Sequence, residues 1–359
     1  MPNKTIHVDF DTLERFMQDV FTGIDVPLAD SKICADVLIS ADKLGIDSHG
    51  INRMKPFYYD RIKAGIQKPV TKFEIIKDGF TTALVDGNTG MGQVIAKKSM
   101  EITIEKAKKY GMGMVATKNS THFGIAGYYA MMAAKAGMIG ICGTNARPSV
   151  APTFGVDGMH GTNPLTFAVP TDEDFPFVID CATSLTQRGK IEVYARQGKP
   201  VPEGWVIGRD GESITDSNEF LEKLTRGEAA FLPIGGAGEE GAGYKSYGYS
   251  IVVEILSAAL QGGAFLKGIT GVNLGHFFMA MDISAFTELD DFKKITGDIL
   301  RELRNSRKEP GAERIYTAGE KEYLAWLDRK DKGAPVNENL LRELMQMRDE
   351  LGLVGYEFG

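Results

Sequence analysis

The chain has five histidines, His7, His49, His122, His160 and His276, and the neighbours of each decide what it can do. None forms a His-x-His or His-Glu-x-x-His pair, so no catalytic metal site is expected. His7 lies near a terminus and His276 within an apolar run, and both read as surface or satisfied core residues. The other three fall in glycine-rich or polar loops. His49 is flanked by Ser48 and Gly50 and followed by Arg53, which puts an imidazole, a hydroxyl and a guanidinium within one turn. An imidazole titrating near neutral pH passes protons, and an arginine fork holds a carboxylate through two bonds. The same residues also suit a histidine at a helix C-terminus beside a surface arginine. His122, in Asn119-Ser120-Thr121-His122-Phe123-Gly124, lies between a strand-like and a helical segment, where α/β sheets present ligand loops. It would equally serve as a cap of that helix. A Ser-His-Asp triad is excluded, because Asp47, Ser48 and His49 are consecutive, their side chains diverge, and no Gly-x-Ser-x-Gly elbow occurs.

The elements that must position these residues follow from periodicity. Leu13, Phe16, Met17, Val20 and Phe21 make one apolar stripe, so a first helix is expected, opened by a capping box of Asp11 and Glu14. A second helix is expected from about Asp30 to Leu44, stopping at Gly45, with the polar segment 47–53 at its exit. From about residue 72 the pattern changes to short strand-like runs, 73–76, 82–85, 113–117, 138–142 and 177–179, alternating with helical segments such as 94–110. A further strand is expected over 275–282 and helices over 291–307 and 338–351. Glycines crowd residues 235–243, a mobile loop by composition that leads into an apolar helix over 249–260. The expected architecture is α/β: residues 1–71 with 290–359 as a mostly helical domain, and 72–289 as an α/β domain.

Composition narrows the function. Of 359 residues 43% are apolar and 25% charged, as in a folded globular protein with room for two domains. The net charge of -7 leaves no basic surplus for nucleic acid or an anionic membrane. Cys34, Cys142 and Cys181 lie far apart without Cys-x-x-Cys spacing, so no disulfide framework is expected. The first residues do not read as a leader, nor any apolar run as a membrane span, and the expected location is the cytoplasm.

For nucleotides, Gly-x-Gly-x-x-Gly and P-loop patterns are absent, since Gly87-Asn88-Thr89-Gly90-Met91-Gly92 has the wrong order. Backbone amides of Gly161-Thr162-Asn163-Pro164 or Asp180-Cys181-Ala182-Thr183-Ser184 suit phosphate or ribose, and equally suit ordinary turns. Taken jointly, Asp47-Ser48-His49-Gly50 with Arg53, Asp86-Gly87-Asn88 with Gly92-Gln93, Ser120 to Gly124, Gly161 to Pro164 and Asp180 to Ser184 are specific. From about residue 10 to 325 the sequence resembles the type 2 malate/L-lactate dehydrogenase family. That family includes sulfolactate and ureidoglycolate dehydrogenases and diketogulonate reductase.

The resemblance implies hydride transfer between NAD, or alternatively NADP, and a small 2-oxo acid. It implies a cofactor domain with a mixed sheet unrelated to the Rossmann fold, and a homodimer with the cofactor near the subunit interface. By motif, His122 and His49 are the proton-transfer candidates, with His122 preferred, and Arg53 and Ser48 bind substrate. The cofactor positions implied are Thr144, Asn145, Asp180, Cys181, Ala182, Thr183, Ser184, Lys245, Ser246, Gly319 and Glu320. Cys181 stands where the family frequently has methionine and Ala318 where it commonly has proline, so small packing changes are expected there. The alternatives are a cyclic-imine carboxylate reductase and a non-catalytic binding protein of the same fold. The presence of His49, His122 and Arg53 together favours a working enzyme.

Overall fold

The computed structural model describes residues 5–358, so the part of the leader reading that rests on 1–4 lies outside the described residues. In chain order the elements are β1 (Ile6–Val8), α1 (Phe10–Gly23), α2 (Leu28–Lys43), a π turn (Met54–Tyr59), α3 (Asp60–Lys63), β2 (Glu74–Asp78), β3 (Thr82–Asp86), α4 (Gly92–Tyr110), β4 (Met112–Ser120), α5 (Ala126–Lys135) and β5 (Met138–Thr144). Then follow β6 (Leu165–Val169), β7 (Phe177–Cys181), α6 (Arg188–Gln197), β8 (Val206–Gly208), α7 (Ser217–Arg226), β9 (Ala229–Phe231), α8 (Gly243–Ala258), β10 (Leu274–Asp282), α9 (Leu289–Arg304), α10 (Glu320–Arg329), β11 (Ala334–Val336) and α11 (Glu338–Leu351).

The apolar stripe of α1 is buried as expected, but the cap is Asp9, two residues before Asp11, with its carboxylate accepting the Thr12 N–H at 2.8 Å. Asp9 precedes Phe10, so the cap starts the helix where its first buried residue is. Helix α2 begins at Leu28, earlier than Asp30, and the chain leaves it through Gly45 at φ +76°, a conformation glycine adopts without strain. The glycine-rich loop is shorter than expected, because α8 starts at Gly243 and not near Tyr249.

Seven strands form one sheet in the order β2-β3-β4-β10-β5-β6-β7. The β3–β4 pair is parallel and every other pair is antiparallel, which makes the sheet mixed. Strand β10 lies between β4 and β5 and is buried at five consecutive positions from Leu274, so cover is required on both faces. Phe278 and Ala280 join one core with Met100 of α4 and Tyr129, Ala130 and Ala133 of α5. On the other face Gly275 lies against the Ser257 carbonyl of α8, and a Cβ there would sit 1.6 Å from that oxygen.

A separate core joins the two ends of the chain: Leu13, Phe16, Met17 and Phe21 of α1 and Leu38 of α2 pack with Leu340, Leu344 and Met347 of α11. Strands β1 and β11 seal it by antiparallel pairing. We propose that this end-to-end core and the sheet correspond to the two domains. A third small core, Ile191, Val206, Phe220 and Phe231 with Val150, supports α6, α7 and the β8–β9 hairpin. Among the described residues no helix is long and apolar enough to cross a membrane, and all three cysteines are free.

Candidate active site

The segment after α2 folds back over that helix. Asp42 is buried, and its carboxylate accepts the Ile51 N–H at 2.8 Å. Gly50 lies so close that a Cβ there would sit 2.0 Å from a carboxylate oxygen, so only glycine lets the chain pass. Burial pushes the Asp42 carboxyl up to about 8, with the Asp47 charge adding and Arg329 opposing. Arg329 of α10 ties the segment from outside by donating to the Asp42 carbonyl at 2.8 Å and pairing with the Asp47 carboxylate. The loop carrying Ser48, His49 and Arg53 is therefore held from beneath by α2 and from the side by the C-terminal helices.

His49 and His122 meet, as their motifs suggest. Their rings stack with centroids 5.8 Å apart and 20° between planes, although one comes from the α2 exit and the other from the β4–α5 loop. Ser48 Oγ is bonded to His49 Nδ1 at 2.9 Å. Tyr58 Oη is bonded to His122 Nδ1 at 2.6 Å, and the Gly124 N–H points to the same nitrogen at 3.4 Å. Desolvation and the neighbouring Arg53 charge push His49 down to about 4. Burial lowers His122 well below its ordinary value too, reinforced by His49, Arg53 and Arg61. Both rings are thus held neutral at pH 7.

Arg53 donates Nε–H to the Ser48 carbonyl and stacks its guanidinium on Phe57, 4.8 Å from the ring centroid. Arg61 stacks on the same ring at 4.6 Å. Among the described residues neither guanidinium has a carboxylate within ion-pair distance, an unusual state for half-buried cations. Phe57, Tyr58 and Arg61 were not singled out in the sequence, because helical periodicity gives no sign of a π turn.

Ser48, His49 and Phe123 line a cleft of 420 Å³ together with Thr162, Pro164, Asp180, Cys181, Ala182, Ser184, Gln187 and Lys190. Asp180 is fixed by the Gly127 N–H at 2.6 Å and the Thr166 hydroxyl at 3.1 Å, and burial raises its pKa. Thr183 turns its hydroxyl to the Thr162 and Asn163 carbonyls, and Ser246 donates to the Thr183 carbonyl, so the α8 start and this loop are joined. Lys245 is exposed beside Tyr244. Cys181 is solvent-exposed and its thiol pKa is raised by burial of the sulfur and by Asp180.

A smaller cavity of 140 Å³ shares Ile46, Ile125 and Asp180 with the cleft and is walled by Phe175, Tyr323, Trp326 and Gly319. Two apolar hollows meeting at a fixed carboxylate suit a long ligand with polar and flat parts. Other expected positions are spent on the protein itself. Thr144 bonds His276 Nδ1, and Asn145 bonds the Ala264 carbonyl and the Gly275 N–H. Glu320 is buried, paired with Arg314 and Arg304 and capped by the Thr317 N–H. His276 is a core residue as read, fully buried and stacked on Phe123 at 4.4 Å. His160 is also buried and bonded to Ser250, away from the cleft. Among the described residues no three His, Cys, Asp or Glu side chains gather as a metal site.

A family model described as malate/L-lactate dehydrogenase matches residues 8–345. The chain belongs to that family. A malate dehydrogenase from Pyrococcus horikoshii is 44% identical over 98% of this chain and 97% of its own length. An L-sulfolactate dehydrogenase from Methanocaldococcus jannaschii is 38% identical over 95% of this chain and 96% of its own. The crystal structure of malate dehydrogenase from Entamoeba histolytica superposes with a TM-score of 0.97 at 44% identity, covering 99% of this chain and all of that one. This malate/L-lactate dehydrogenase family member is a 2-hydroxy-acid dehydrogenase that uses a nicotinamide cofactor. Neither the cyclic-imine reductase nor the non-catalytic alternative is favoured by these relatives.

Proposed function

We propose that the chain interconverts a small 2-oxo dicarboxylic acid and its 2-hydroxy form, with malate and oxaloacetate as the pair and NAD as the cofactor. The observation that carries this reading is that Arg53 and Arg61, without carboxylate partners among the described residues, stack on Phe57, whose ring lies 5.0 Å from His122, which in turn stacks on His49 at the cleft wall. One guanidinium suits the carboxylate next to the carbonyl, and the second, held on the same aromatic ring, suits the distal acid group. The names of the relatives at 44–45% identity agree with a C4 acid.

The cofactor, when bound, supplies the hydride acceptor or donor. The residues that would hold it are Asp180 to Ser184 with Thr162, at the cleft floor, and Gly319 at the smaller cavity. Thr144, Asn145, Lys245, Ser246 and Glu320 support those segments. The smaller cavity carries Asp174, Asp180 and Glu322 and no lysine or arginine, which suits a ribose diol and repels a 2′-phosphate. In reduction, Arg53 orients the keto acid with Ser48 and His49 at the cleft wall. His122 Nε2 gives a proton to the C2 oxygen as negative charge develops there. In oxidation that nitrogen takes the proton back.

A homodimer is part of the reading, supported by the exposed apolar side chains of α8, and cytoplasmic residence by the three unpaired cysteines. The test is consumption of NADH and of NADPH with oxaloacetate, pyruvate and 3-sulfopyruvate, without added metal. Fastest turnover with NADH and oxaloacetate is expected. Turnover abolished by a chelator and restored by zinc, or equal use of pyruvate, would contradict it.

A further inference from the structure

Met54–Tyr59 is a turn of π-helix, seen in the Asp60 N–H donating to the Lys55 carbonyl five residues back. Such turns are rare and cluster at functional sites because one added residue re-aims the side chains beyond it. In a regular α-helix Arg53 and Tyr58 would project about 140° apart. The widened turn brings position 58 back towards the face of position 53. Arg53, stacked on Phe57, and Tyr58, bonded to His122, then serve one site.

The bonds at His122 favour one tautomer. The Gly124 N–H can only donate, so the Nδ1 it points to is an acceptor. The Tyr58 hydroxyl therefore donates to Nδ1 as well, and the ring proton of the neutral imidazole resides on Nε2. Among the described residues Nε2 has no hydrogen-bond partner, which leaves it for substrate. We propose that Tyr58 is a positioning and relay residue: its hydroxyl holds His122 as the Nε2–H tautomer and refills the ring at Nδ1 when Nε2 protonates the substrate.

This rests on His122 being the proton-transfer group. In reduction the hydride's electron pair forms the C–H bond at C2, and the carbonyl π pair moves to oxygen. The Nε2–H bond breaks as the O–H bond forms, and the Tyr58 O–H bond breaks as Nδ1–H forms. The ring stays neutral throughout, which matters where burial and the nearby basic groups oppose an imidazolium. Burial disfavours the phenolate left on Tyr58 and the charges of Arg53 and Arg61 offset part of that, until a solvent proton reaches Nε2 and the Nδ1 proton returns to the tyrosine oxygen.

Nitrogen-15 NMR of the ligand-free wild type should show His122 as the Nε2–H tautomer, and an Nδ1–H ring would overturn the proposal without any variant. In single-turnover reduction of oxaloacetate by bound NADH, a proton inventory in mixed H2O and D2O should bow, reporting two protons in flight. A linear plot in the wild type would overturn the relay. Tyr58→Phe should lower the single-turnover rate by on the order of a hundredfold, the range for a positioned acid or base. It should leave KM within a few-fold and make the inventory linear. If His122→Asn loses the rate but Tyr58→Phe keeps it, the relay fails while the assignment of His122 stands. If His122→Asn keeps the wild-type rate, the assignment itself fails.

Discussion

Arg53 shows how much a single residue type commits the site to. Its Nε is occupied by the Ser48 carbonyl, so the terminal nitrogens are what remain for substrate, and one of them lies 2.9 Å from where a Cβ at position 189 would sit, which Gly189 leaves open. A lysine cannot reproduce a planar two-bond clamp and would not stack on Phe57 in the same way. Arg53→Lys should cost ~2–3 kcal/mol in kcat/KM, chiefly through KM, as expected for a charged hydrogen bond to substrate. Steady-state kinetics with oxaloacetate checks it, and a change below a few-fold would place the carboxylate elsewhere. His49, His122 and Arg53 were legible in the sequence because their chemistry shows in residue type alone. Tyr58 and Arg61 were not, since a tyrosine and an arginine in a helical stretch look like core and surface until the π turn is seen.

At the scale of elements, the loop from Ile46 to Arg53 is held by a carboxyl that titrates with folding. Burial raises the Asp42 pKa from an ordinary 3.8 to about 8, so between those values the folded chain keeps a proton that the unfolded chain has lost. Its contribution to unfolding free energy therefore falls as pH rises through that window and levels off above it. Asparagine cannot ionise yet still accepts the Ile51 N–H. Asp42→Asn should gain stability relative to wild type between about pH 5 and about pH 8, read from urea unfolding at both. Asp42→Ala should lose ~1–3 kcal/mol at either pH, because a buried N–H is left unpaired. A pH-independent difference between wild type and Asp42→Asn would show that the carboxyl does not titrate there. Elements with long apolar stripes, such as α1 and α11, were readable in advance. Helices α6 and α7 were not, because they bury so few residues, Ile191 and Phe220 among them, that no period emerges. Strands β1 and β11, three residues each, are too short to alternate visibly and exist by pairing across nearly the whole chain.

For the whole molecule, helical patterns at both ends led to the expectation that they share one domain, whereas the strand order could not be read. β10 inserts between β4 and β5 from more than a hundred residues away, and only its pairing with both reveals that position. The same strand explains the outer surface of α8. That helix turns Val253 and Ser257 inward and leaves Tyr249, Val252 and Ile255 62%, 46% and 53% exposed, spaced three apart along one side. Such a strip is a poor surface for a lone subunit, and covering each side chain contributes up to ~1.5–3 kcal/mol. A second copy packing α8 against its own symmetry mate would bury the strip twice at one interface. Sedimentation equilibrium at micromolar concentration should give twice the chain mass, and the double substitution Val252→Asp with Ile255→Asp should give the single mass with unchanged far-ultraviolet dichroism. Both residues point away from the sheet, so the variant tests association without disturbing the core. A monomeric wild type would remove the homodimer from the reading, and a variant that stays dimeric would move the interface to another face.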